Sequence, residues 1–137
     1  MINELINDIK TVLTEDLLTN HWKKIIRSKK CHPTTGHCYA ASEALYHILG
    51  GKKNGYKPMY GRTKKGNSHW WIVDSENNIL DITAEQFYFH NSKPPYHNGT
   101  GSGFLTKDPS KRAQKIINRL KKLNYKRGNK GLEIYKI

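Results

Sequence analysis

Acidic residues are scarce in this chain: 11 Asp and Glu stand against 24 Lys and Arg, a formal net charge of +13. Cysteine is scarcer still, with two in 137 residues. That is too few for a disulfide-stapled scaffold, and a chain of this length buries a core without staples. Long apolar runs are missing; none approaches the ~20 residues of a membrane span. The opening Met-Ile-Asn-Glu-Leu-Ile-Asn-Asp-Ile-Lys lacks the basic and continuous apolar regions of a signal peptide. These absences lead to the expectation of one soluble domain over 1–137, in the cytoplasm, with no membrane partner. Two cysteines in that compartment are read as free thiols.

The positive charge is unevenly placed. Residues 107–137 hold eleven Lys or Arg against two acids, a net +9. Such a balance suits an anionic partner, nucleic acid among them, and equally a solvated face that aids solubility.

The stretch that organises the chain runs from Gly36 to Gly51: a turn, a cysteine, an apolar-periodic run and a glycine stop. Cys38 falls at the first turn of the helix this pattern predicts. Unpaired N–H groups and the positive end of the helix dipole favour an anion there, and a thiolate is one. A helix N-terminus thereby turns a cysteine into a nucleophile. Cys38, Ala41, Ser42, Leu45 and Leu49 share one stripe, and Gly50-Gly51 permit a left-handed cap.

Around this helix the periodicity predicts an α+β fold. Ile2, Leu5, Ile6, Ile9, Val12 and Leu13 recur at helical spacing. Thr14 caps a second run carrying Leu17, Leu18, Trp22, Ile25 and Ile26 inward. Tyr56–Arg62, Ser68–Asp74 and Ile79–Thr83 read as strands joined by turns, an antiparallel meander packed on the Cys helix. Pro58 marks the first of them as an edge strand. Residues 84–107 are rich in Pro, Gly and Asn and read as a long loop, a lid over a site anchored by Phe104 and Leu105. Asp108-Pro109 reads as the start of a basic helix with Ala113, Ile116, Ile117, Leu120 and Leu123 inward. Leu132–Ile137 reads as a final strand.

A thiol nucleophile needs a base, and the base needs a partner that orients it. His69 begins the strongest strand, and Asp81 lies on the next one, a cross-strand neighbour if the register permits. The order Cys38, His69, Asp81 supplies each role. Asp74 is the competitor for the third, but it sits five residues along the same strand. Cys31-His32-Pro-Thr-Thr-Gly-His37-Cys38 packs two Cys and two His into eight residues, ligand types that zinc accepts. Those adjacent pairs do not match zinc-finger spacings, so no metal and no cofactor are expected.

Gly36-His37-Cys38 at a helix start, His69-Trp70-Trp71 on a strand and Ile79-Leu80-Asp81-Ile82-Thr83 on the next resemble the core of the transglutaminase-like superfamily, a branch of the papain-like cysteine enzymes. The resemblance covers about residues 36–83. The fuller strings, including Gly103-Phe-Leu-Thr-Lys-Asp-Pro-Ser-Lys-Arg-Ala113, are also similar to small proteins of tailed bacteriophages, which implies an infected bacterial cytoplasm. The superfamily implies acyl transfer from a protein or peptide-like amide, with Cys38 attacking, His69 shuttling the proton and Asp81 orienting His69. Papain-like enzymes often place a Gln ahead of the cysteine as an oxyanion donor; this chain has none there. Trp22, His37 and Trp70 are the candidates for substrate or oxyanion contacts, with Asn20 and His21 beside Trp22. The rival reading is a basic binding module that keeps the fold and lacks the chemistry.

Overall fold

The computed structural model describes residues 2–104 and 106–135. Among them are five α-helices, α1 (Ile2–Val12), α2 (Asn20–Ser28), α3 (Cys38–Ile48), α4 (Glu85–Tyr88) and α5 (Lys111–Lys126). Four strands, β1 (Lys57–Arg62), β2 (Ser68–Val73), β3 (Ile79–Leu80) and β4 (Thr100–Gly101), form one antiparallel sheet in the order β3-β2-β1-β4. The fold is α+β. No helix among the described residues is long and apolar enough to cross a membrane.

The core is built where the apolar stripes meet. Leu5 and Ile9 of α1, Ala41, Ala44 and Leu45 of α3, Ile72 of β2, and Ile116 and Leu120 of α5 are fully buried in one cluster. The small Ala40, Ala41 and Ala44 let α3 approach its neighbours closely, so its first two turns are buried almost all round. Fixing α3 between the sheet and α5 fixes Cys38 at its N-terminus. Gly36 sets the entry angle. Its φ of +84° lies in the left-handed region, and a Cβ there would meet Trp22 Cγ at 2.8 Å.

A buried carboxylate links α3 to α5. Glu43 is fully buried and accepts from the Ser110 backbone N–H at 2.8 Å and the Ser110 hydroxyl at 2.6 Å. The Ser110 hydroxyl oxygen in turn accepts from the Ala113 N–H. Ser110, and not Asp108, therefore caps α5, because it presents its oxygen to both partners.

Five further expectations change. The strand expected over Ile79–Thr83 ends at Leu80, so Asp81, Ile82 and Thr83 stand beyond it. The run after Thr14 splits into a short 3-10 turn, Glu15–Leu17, and α2. Leu17 and Leu18 are buried, whereas Trp22, Ile25 and Ile26 are only half-buried. β1 is interior: β4 pairs with it at Met59 and Tyr60, and Ser102 N–H donates to the Pro58 carbonyl, so no proline N–H is required. Residues 84–104 are a fixed layer on the sheet, with α4, a 3-10 turn at Tyr96–Asn98 and β4. Within it a Cβ on Gly99 would lie 2.5 Å from the Trp71 ring, so this layer rests directly on β2. Glu133–Tyr135 is a 3-10 turn in place of the final strand, with Tyr135 buried and its hydroxyl donating to Asp8. Leu105, Lys136 and Ile137 lie outside the described residues.

Glu43→Ala leaves the Ser110 N–H and hydroxyl without their acceptor in a buried place. We expect a stability loss of about 2–3 kcal/mol in urea denaturation. A loss of a few tenths would show that Glu43 does not join the two helices.

Candidate active site

The strand register determines what His69 meets. Ile72 pairs with Leu80 and Val73 with Ile79. Continued one residue, that register sets Asp81 opposite Trp71, on the diagonal from His69 and on the same face of the sheet. The side chains meet there: His69 Nε2 donates to Asp81 Oδ2 at 2.6 Å. Both are buried, at 0% and 2% side-chain exposure.

Asp81 accepts three other hydrogen bonds, one of them from the Thr83 hydroxyl to Oδ1 at 3.5 Å. The Tyr96 hydroxyl donates to Oδ2 at 2.7 Å, and the Thr83 backbone N–H donates to Oδ1 at 3.1 Å. Gln86 fixes the Thr83 hydroxyl at 3.0 Å. The imidazole lies between two rings, stacked on Trp71 with centroids 5.6 Å apart and edge-on to Phe87 at 4.6 Å. Trp71 also meets Tyr96 edge-on at 5.1 Å. The orientation of His69 is thus set by β2, by the residues after β3 and by the 84–99 layer together.

With Nε2 engaged, Nδ1 is the nitrogen left for Cys38. It has no hydrogen-bond partner among the described residues, and Cys38 is one of the groups that influence the ring's charge. Burial is the largest influence on the His69 pKa and pushes it down. Hydrogen bonding and charge attraction from Asp81 and Cys38 outweigh burial, and the pKa is pushed up to about 9. Cys38 itself is half-exposed at the start of α3. No side chain caps that helix, and the Cys38 N–H finds no acceptor among the described residues. The site therefore offers a reachable thiol, a protonatable ring behind it and a free N–H beside it.

The remaining candidates fall elsewhere. Trp22 packs over Gly36, two residues before Cys38. His37 is buried, and burial first, then the charge of Arg112, pushes its pKa down to about 4. It lines a cavity of about 290 Å³ with Leu18, Cys31, His32 and Thr35. Cys38 is not in that lining. Trp70 does not meet His69: strand alternation turns it to the opposite face, against Tyr39, Tyr60 and Phe104. Its neighbour Trp71 is the one that contacts the ring. Asp74 is a turn residue, accepting from the N–H groups of Glu76 and Asn78 at 2.9 Å each and from the Asn78 amide at 3.0 Å. Those bonds, the Asn78 side chain first, hold its carboxyl below the usual range. Among the described residues no three His, Cys, Asp or Glu side chains gather as a metal-ligand set, the Cys31–Cys38 segment included.

Sequence reasoning missed Tyr96, Thr83 and Phe87. Thr83 follows Asp81 by two residues, the spacing of a carboxylate that accepts from its own chain; that signal was readable. No family model, curated protein or solved structure matches the chain significantly. The likeness to transglutaminase-like enzymes rests on the residues quoted above.

The two buried histidines pull stability in opposite directions with pH. His37, lowered to about 4, contributes stability above the ordinary 6.5 that is lost as pH falls toward 4. His69, raised to about 9, contributes stability below 6.5 that is lost as pH rises through 9. The denaturant midpoint should therefore peak near pH 6.5, and Asp81→Asn should flatten its alkaline limb. An unchanged alkaline limb in that variant would contradict the charge assignment.

Proposed function

We propose that the chain is a thiol enzyme that cleaves or transfers an amide acyl group through Cys38, His69 and Asp81. The observation that carries this reading is the buried His69–Asp81 pair at 2.6 Å, with the second ring nitrogen left for Cys38. A structural histidine has no need of a buried carboxylate bound from four directions. A base that must take up a proton does, because the carboxylate steadies the imidazolium.

The steps follow from the groups present. Before substrate arrives the Cys38 proton already resides on His69 Nδ1, leaving a thiolate beside an imidazolium, and the sulfur attacks the amide carbon. The developing oxyanion takes the free Cys38 N–H. The C–N bond then breaks, and His69 returns its proton to the leaving amine. Water or an amine next attacks the thioester, with His69 taking the incoming proton and returning it to the Cys38 sulfur as the thiol leaves. The substrate class is a protein or peptide-like amide. A bacteriophage protein acting on a host component in the cytoplasm fits the sequence resemblance.

The binding-module reading draws on a different feature. Lys111, Lys115, Lys122 and Lys126 fall on one exposed face of α5, and none forms an ion pair among the described residues. Arg119 and Arg127, by contrast, are engaged with Asp16 and Asp8.

Iodoacetamide labelling at neutral pH separates the readings. Cys38 should be alkylated at least about tenfold faster than Cys31, and His69→Ala should bring the two rates together. If both thiols react alike in the unmodified protein, the enzyme reading fails and the binding module stands.

A further inference from the structure

A second site lies at the far end of α3. Cys38 begins that helix and His47 is in its last turn, about 14 Å further along the axis. There Tyr46, Tyr56 and Phe104 wall a cleft of about 540 Å³, within the range of small-molecule sites. Phe104 is backed by Trp70, stacked at 5.6 Å, and meets Tyr46 edge-on at 5.4 Å. The floor is thus a braced aromatic surface.

The rim has one sign of charge. Lys52, Lys57 and Lys107 line the cleft, no acidic residue does, and none of the three lysines forms an ion pair among the described residues. Three unpaired cations at one opening favour an occupant with more than one negative charge. Bare phosphate would satisfy them and leave the aromatic wall unfilled.

The wall also has a polar demand. The Tyr46 hydroxyl accepts from the Lys52 N–H at 3.0 Å and keeps its own proton to donate. An alkyl chain offers no acceptor for that proton; a flat ring with acceptors on its edge does.

From these features together we infer that this cleft binds a nucleoside phosphate, base against Phe104 and Tyr46, phosphate against the three lysines. The same chemistry is offered by a free nucleotide and by the phosphorylated end of a strand. The site is separate from Cys38 and stands or falls independently of the enzyme reading.

Calorimetric titration of the full chain tests it, with AMP, UMP, adenosine, inorganic phosphate and a 5′-phosphorylated hexanucleotide as probes. AMP or UMP, or the phosphorylated strand, should bind saturably and at least about tenfold more tightly than adenosine or inorganic phosphate. Binding by the strand alone assigns the site to strand ends. The combined Lys52→Ala, Lys57→Ala and Lys107→Ala variant changes only exposed side chains and should weaken binding by about tenfold or more. Phe104→Ala should weaken it as well, and Cys38→Ala should leave it unchanged. No saturable binding in the millimolar range, equal binding of inorganic phosphate, or nucleotide binding that survives the lysine variant would overturn the inference.

Discussion

The structure turns on a charged pair placed where water does not reach. Removing a carboxylate and an imidazolium from solvent costs several kcal/mol per ion unless nearly every polar contact is replaced. Here the replacement comes from three segments: β2 brings His69, the turn after β3 brings Asp81 with the Thr83 N–H, and the 84–99 layer brings Tyr96. None of these can shift by one residue without breaking the set, because a one-residue slip turns a strand's side chains to the other face. The need to satisfy Asp81 thus fixes the hairpin register and explains why the residues after β3 fold back onto the sheet.

The helical layer solves a separate problem, that of holding Cys38 still. α3 is buried along its first turns by the sheet, α1 and α5, and Glu43 ties it to the start of α5. Gly36 is the joint between this rigid helix and the loop before it. Cys38 and His69 therefore stand on different layers, each braced by its own contacts, and His69 Nδ1 has no hydrogen-bond partner among the described residues.

Much of this was legible in the residues. The helix bearing Cys38 was readable from its two glycine ends and its apolar stripe, the hairpin from β-branched and aromatic runs around a turn, and α5 from Ala113, Ile116, Ile117 and Leu120. The ordered Cys38, His69 and Asp81 could be named because each stands at a place periodicity makes sensible. What stayed hidden has physical reasons. Alternation puts Trp71, and not Trp70, on the face of His69 but does not say which layer covers that face. Tyr96 reaches Asp81 from a segment with no period, 15 residues away in the chain. Glu43 lies off the Cys38–Leu49 stripe, where a charge is ordinarily read as solvent-facing; only the α5 N-terminus opposite explains its burial. β4 is two residues long and owes its existence to β1 alone.

The account rests on His69 carrying a proton between Asp81 and Cys38 near neutral pH. The ring ¹⁵N chemical shifts of His69 at pH 7 report this directly. With its pKa raised to about 9, both nitrogens should show the imidazolium signature, which Asp81→Asn should abolish. A neutral ring in the unmodified protein, protonated on one nitrogen only, would contradict the account.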